Sequence, residues 1–227
     1  MSTPVAATRP LLDLSHTVEH GMVTYKGLPA PLICDYLSRA DSRSRYAAGT
    51  EFQIDRIELV GNTGTYLDSP FHRYADGKDL AALPLTSLAD LPCVVARIAN
   101  DGRRAIAELP FKPRDVRGRA VLIHTGWDQH WRTDQYFERH PYVSAELAQW
   151  LADAEPALVG IDSYNIDCTD GGERPAHSAL LRRDIPIVEH LRALDSVPDH
   201  GARFFAVPVK VRHCGTFPVR AFALLDR

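Results

Sequence analysis

Short apolar runs recur along the second half of the chain: Leu91–Ile98 (LPCVVARI), Ala120–Ile123 (AVLI), Ala157–Ile161 (ALVGI) and Ile185–Val188 (IPIV). Each is too short for a core helix and lacks the alternation of a half-exposed strand, so each reads as a strand buried on both faces. Pro186 marks the last run as the beginning of a strand or an edge. Between the second and third runs, Ser144 stands at a helix N-cap position before AELAQWLADA. Leu147, Trp150 and Leu151 then fall on one helical face. His177–Arg183 (HSALLRR) is a second, shorter helix candidate. This βαβ-like alternation from residue 120 to 190 predicts a mixed α/β class.

Outside that region the signals favour strands. LLDLSHTV alternates apolar and polar residues. Phe52–Ile54 and Ile57–Leu59 alternate too, but out of phase, which a bulge at Asp55-Arg56 would repair. Arg203–Val211 and Val219–Leu225 close the chain as expected strands. Residues 1–9 read as a flexible tail, and 10–227 as a single domain, because Gly and Pro are spread throughout and no linker stands out.

The composition excludes some classes of function. The net charge of −3 has no basic stripe behind it, so nucleic acid is not an expected partner. No apolar run of about 18 residues is present, and the N-terminus has no signal-peptide core, so no membrane association is expected and a cytoplasmic location is. Cys34, Cys93, Cys168 and Cys214 lie far apart without a C-x-x-C spacing, and are expected to be reduced thiols.

Chemistry concentrates in two segments. In Asn62–His72, NTGTYLDSPFH, Asp68 and His72 flank Pro70, which keeps the stretch off a regular helix. In an extended segment Tyr66 and Asp68 share a face, and Gly64 permits a close backbone approach. A carboxylate and an imidazole here suit a divalent metal or acid–base work, although a capping Asp and a surface His would look the same. In Glu173–Glu189, a helix followed by a strand can return Glu189 to His177; alone this is a weak signal.

Taken together, the segments resemble the cyclase family, which includes bacterial kynurenine formamidases, isatin hydrolases and related amide- and lactone-opening enzymes. The family signature H-x-G-T-H-x-D-x-P-x-H stands here as NTGTYLDSPFH. The resemblance extends through DLSH at Asp13–His16, GMVTYKGLP, Gly160-Ile161-Asp162, PAH, IPIVE and the tail GTFPVRAFALL. It implies a swivelling β/β/α domain, usually assembled as a homodimer or homotetramer, acting on a small molecule.

The resemblance also implies roles. In two-metal members one site uses both signature histidines and the Asp; Asn62 and Tyr66 replace those histidines here, so that position is not expected to fill. The other site is present as Asp68, His177 and Glu189, an N/O set suited to one Zn²⁺ or Mn²⁺. His72 is implied as the proton-transfer group. Asn62 and Tyr66 are expected to donate hydrogen bonds to a developing oxyanion. Tyr25 falls where formamidases hold an aromatic residue against the substrate. The expectation is a one-metal hydrolase of an amide, lactone or cyclic imide. The alternatives are a metal-free dehydratase, isomerase or cyclase built on the same cluster, or a ligand-binding member without catalysis. His124 is expected to be a packed histidine, and Trp127 and Trp131 packing or interface residues. His213-Cys214 and Asp167-Cys168 are not expected to share a metal, since adjacent strand residues face opposite ways. One of Asp167 and Cys168 can still face the pocket.

Overall fold

The computed structural model describes residues 10–99 and 101–226; the tail expected at 1–9 lies outside them. In chain order the strands are β1 (Leu11–Asp13), β2 (Leu32–Leu37), β3 (Ile54–Glu58), β4 (Tyr66–Asp68), β5 (Leu91–Arg97), β6 (Ala105–Ile106), β7 (Ala120–His124), β8 (Tyr142–Val143), β9 (Leu158–Ile161), β10 (Ile187–Glu189), β11 (Ala202–Phe205), β12 (Thr216–Pro218) and β13 (Phe222–Leu225). The helices are α1 (Arg39–Ser42), α2 (Pro113–Val116), α3 (Ala145–Ala154) and α4 (Pro175–Arg182).

One sheet dominates, in the order β1-β13-β11-β5-β7-β9-β10-β4-β12. Its centre, β5-β7-β9-β10, is parallel. Antiparallel strands extend it on both sides. The four central strands are the short apolar runs, and their residues alternate between two cores. Val94, Val121, Val159 and Ile187 face α3 and α4. Cys93, Leu122, Leu158 and Val188 face a core completed by the segments around Leu80–Leu91 and Leu191–Val197. Burial on both faces is why these strands carry no polar alternation. Gly160 on β9 allows the tight fit: a Cβ there would lie 2.7 Å from Leu191 Cδ1.

Helix α3 begins as the sequence predicts, with Ser144 Oγ accepting from Leu147 N–H. Helix α4 begins two residues earlier than expected, with Pro175 in its first turn. Pro186 immediately precedes β10, a central strand, so it marks a beginning and not an edge.

Two expectations change. The strand expected over Arg203–Val211 stops at Phe205; Pro208 has no N–H to continue the ladder, and Val207 and Val209 are exposed. The break expected at Asp55-Arg56 is absent, and β3 pairs continuously with β2. The irregularity lies in β2, between Asp35 and Leu37. All of β3 is exposed, so no buried face fixes its phase. Among the described residues no helix is long and apolar enough to cross a membrane.

Candidate active site

The site lies where the carboxyl ends of the parallel strands β9 and β10 meet the antiparallel strand β4. Strand register does much of the assembly. Glu189 pairs with Tyr66 and Ile187 with Asp68 across β10 and β4. Thr216 pairs with Asp68 across β12 and β4. Tyr66 and Asp68, two apart, point to one side of β4, while Leu67 enters the hydrophobic core. A 3₁₀ turn at Pro70–His72 then brings His72 back beside Asp68. Gly64 precedes β4 in the left-handed region, with φ of +65°, and a side chain there would also strike Val18.

Asp68, His177 and Glu189 converge. His177 Nε2 is 3.5 Å from Asp68 Oδ2 and 3.8 Å from Glu189 Oε1. Asp68 and Glu189 are fully buried, and Asp68 Oδ2 makes no hydrogen bond. His72 stands alongside, its ring centroid 5.8 Å from that of His177. Asp68, His72 and His177 offer ligand-type atoms that all lie within 4.8 Å of one another.

The surrounding residues fix these groups. Asp167 Oδ2 accepts from the ring Nδ1 of His177 at 2.6 Å and from its backbone N–H at 3.0 Å. The other oxygen of Asp167 accepts from Ala176 N–H. Nδ1 is thereby the donor, and Nε2 is the nitrogen presented to Asp68 and Glu189. Glu189 Oε1 accepts from Ile166 N–H at 2.6 Å. Its Oε2 accepts from the hydroxyl of Tyr66 and from Asn165 Nδ2. The Thr216 hydroxyl bridges the Asp68 carboxylate and His72 Nδ1. Its single proton goes to the carboxylate, so His72 Nδ1 is the donor to Thr216, and His72 Nε2 is left as the basic nitrogen.

Electrostatics follow from this crowding. Burial disfavours the His177 imidazolium, but Asp167, Asp68 and Glu189 outweigh it and raise the pKa to about 10. Burial pushes the Glu189 carboxyl up to about 7; Asp68 adds to the rise, while His177 and the donors from Tyr66 and Ile166 oppose it. Burial also pushes Asp68 upward, but His72, His177 and Thr216 prevail and hold it below the ordinary carboxylate value. Three carboxylates around one buried imidazole call for a positive charge among them, which the imidazolium or a bound metal supplies.

The spacings around His177 Nε2 suit a metal, although the grouping with every ligand atom within 4.8 Å of the others contains His72 where the expected set has Glu189. Ligands about 2.1 Å from a tetrahedral ion sit roughly 3.4 Å apart, close to the two separations at His177 Nε2. The unpartnered Asp68 Oδ2 faces the same point.

Asn62, His72 and Tyr25 line a cavity of about 130 Å³ together with Asn165, Arg73, Arg174 and His177. The Tyr25 ring leans on Tyr164 at 4.7 Å, and its hydroxyl oxygen accepts from Asn165 Nδ2. Tyr66 differs from expectation. It is buried outside that cavity, and its one hydroxyl proton is committed to Glu189, not to a substrate oxygen. Burial, with Glu189 and Asp68 nearby, pushes its phenol well above the usual range.

Of the pair Asp167-Cys168, Asp167 is the one that meets the site, through His177; Asn165 and Thr216 were not legible as site residues, because they act through loop return and strand register rather than through a local motif. His124 lies outside the cavity, against Arg97 at 3.3 Å. Trp127 donates to Tyr136 O, and Trp131 stacks on His16, so both pack. His213 and Cys214 lie on a loop before β12, not on a strand, with His213 in the left-handed region. The four cysteines form no disulfide.

The chain is similar to known proteins along most of its length. Residues 12–168 match the family model described as "Putative cyclase". A kynurenine formamidase of Erythrobacter litoralis is 27% identical over 207 residues, covering 89% of this chain and 88% of the relative. One from Bordetella avium is 30% identical over 171 residues, covering 74% and 78%. A solved structure described as a potential metal-dependent hydrolase with cyclase activity superposes with a TM-score of 0.76 at 25% identity, covering 97% of this chain and 99% of the other. Isatin hydrolase A from Labrenzia aggregata shares the fold, with a TM-score of 0.78 at 20% identity over 96% and 94% of the two chains. The family model spans well over half the sequence, and the chain belongs to the cyclase family.

Proposed function

We propose that this protein is a hydrolase that opens an amide or cyclic amide bond of a small molecule, using one divalent metal held by Asp68, His177 and Glu189. The observation that carries the reading is the meeting of Asp68 Oδ2, His177 Nε2 and Glu189 Oε1 beside a histidine with a free basic nitrogen. The names of the relatives, kynurenine formamidase and isatin hydrolase, support amide chemistry over the lactone alternative. A divalent cation in that set supplies Lewis-acid polarisation of a carbonyl and a lowered pKa for water.

The protein's own groups carry the proton. His72 Nε2 takes a proton from the attacking water as the oxygen–carbon bond forms. It returns that proton to the departing nitrogen as the carbon–nitrogen bond breaks. Thr216 holds the ring in the required tautomer, and Asp68 holds Thr216. Asn62 donates to the carbonyl oxygen as negative charge develops, and Tyr25 offers a flat wall for a planar substrate. Tyr66 orients Glu189. Asn62 and Tyr66 stand in place of two histidine ligands, so the reading allots one metal rather than two.

A second reading has support in the His177 environment. With its pKa raised to about 10, the imidazolium is itself a cation that balances Asp68 and Glu189. A metal-free acid–base enzyme of the same family would use that charge.

The two readings separate on one assay. Protein stripped with a chelator and tested on an aryl formamide loses activity under the first reading and regains it on addition of Zn²⁺ or Mn²⁺. Full activity in the stripped protein rejects the first reading and supports the second.

The proposal includes a homo-oligomer. The β2–β3 hairpin stands apart from the main sheet and exposes Tyr36, Phe52, Ile54 and Ile57, and a second copy of the chain would cover that apolar surface.

A further inference from the structure

We infer that the substrate carries a carboxylate, held at the mouth of the site by Arg73 and Arg174. This rests on the hydrolase reading above and names the class of amide it acts on. The two arginines are shared by two adjoining spaces: the inner cavity of about 130 Å³, and an outer groove of about 630 Å³ bordered by Gly172, Pro175 and Ser178. A molecule reaching from one space to the other therefore meets both arginines.

Arg174 is prepared for this role. Its Nη1 donates to the carbonyl oxygens of Cys168, Gly171 and Glu173 at 3.0, 2.8 and 2.7 Å. Those bonds fix the guanidinium, and neither Nε nor Nη2 has a protein acceptor among the described residues. Part of the ordering entropy of an anion clamp is thus already met in the fold. Arg73 makes one side-chain bond, to Ser178 Oγ at 3.3 Å. Neither arginine has a carboxylate within ion-pair distance among the described residues, whereas Arg182 and Arg183 at the far end of α4 pair with Asp76 and Asp153. Glu173 borders the outer groove but not the inner cavity.

The charge pattern also sets orientation. Asp68, Asp167 and Glu189 make the floor negative, so an anionic group is repelled from it and a neutral carbonyl is not. Two cations at the rim attract the anion, with bidentate guanidinium–carboxylate geometry available. The inner cavity accommodates only the reacting end, so the carboxylate lies a few bonds from the scissile carbonyl.

The test compares 2-formamidobenzoate with its methyl ester on the metal-loaded enzyme. The acid is expected to exceed the ester in kcat/KM by about 10- to 100-fold, mainly through KM. That ratio falls toward one in Arg73→Gln and is partly kept in Arg73→Lys. Arg174→Gln is expected to lower it too, but it also releases three carbonyls, so Arg73 carries the decision. Equal turnover of acid and ester, or an unchanged ratio in Arg73→Gln, overturns the inference while leaving the hydrolase reading intact. If neither compound is hydrolysed, that reading is what fails, and calorimetric binding of benzoate and benzamide decides the anion site. Benzoate binding weakened by Arg73→Gln supports it; benzoate binding unaffected by Arg73→Gln, or matched by benzamide, overturns it.

Discussion

Gly215 governs the position of the proposed base. A Cβ there would lie 2.6 Å from the backbone N and Cα of His72, and backbone cannot swing aside as a side-chain tip can. Gly215→Ala is therefore expected to displace His72 and reduce kcat by about 100-fold, with about 1–3 kcal/mol of lost stability. Steady-state kinetics with a thermal melt checks this; wild-type kcat would show that the His72 position does not matter. Tyr66 has a different task. Tyr66→Phe removes a donor from Glu189, whose carboxyl burial already raises to about 7. The remaining carboxyl holds its proton to higher pH, so metal affinity is expected to fall about 10- to 100-fold near neutrality and to recover as pH rises. Metal titrations at two pH values test the sign. That Asp68, His72, His177 and Glu189 come together was legible because a spaced motif and a family resemblance mark them. Tyr66 was assigned to the substrate because its place in the motif says nothing about its cross-strand partner, and Arg73 and Arg174 belong to no motif.

Helix α4 and the loop before it form one device. Asp167 caps the helix with both oxygens and grips the His177 ring. Asp167→Asn keeps the size of the side chain but has one acceptor oxygen in place of two, so it loses at least one of the three bonds and weakens the rest. It is expected to cost about 1 kcal/mol of stability and about 10- to 100-fold in metal affinity. A similar melting temperature with undiminished metal binding would remove Asp167 from the account. The sequence makes the central strands and α3 legible, because burial on both faces and an N-cap serine are local signals. The phase of β3 and the extent of the strand after Arg203 were misread for physical reasons. Alternation implies a buried face, but every residue of β3 is exposed, so its pattern carries no information; beyond Phe205 the alternation persists, with Ala206 and Pro208 buried, and the missing N–H of Pro208 ends the ladder.

At the scale of the molecule, several histidines are buried in neutral form. His140 donates from Nδ1 to Pro141 O and accepts at Nε2 from the Thr169 hydroxyl; His190 donates to Tyr164 O. Burial lowers the pKa of each to about 4, and that of His16 to about 3. These groups bind protons more readily when the chain unfolds, with an ordinary pKa of about 6.5. Their contribution is complete above pH 6.5 and is lost as pH falls toward 4, at roughly 1.4 kcal/mol per pH unit for each fully buried ring. In the metal-free chain His177 has the opposite sign, contributing below pH 6.5 and losing that contribution as pH rises through about 10. A melting temperature that drops steeply between pH 6.5 and 4.5 is expected, and a flat profile would contradict it. Light scattering tests the oligomer: the wild type should exceed one chain's mass, and Ile57→Asp, on the exposed hairpin, should reduce it.

The proposed chemistry needs one metal held by Asp68, His177 and Glu189, with His72 beside it as the base. Elemental analysis of protein purified without a metal-affinity tag tests it most directly. About one equivalent of Zn or Mn per chain is expected, lost in Asp68→Ala and retained in His72→Ala. Two equivalents, none, or a metal that leaves with His72 while surviving Asp68→Ala would contradict the account.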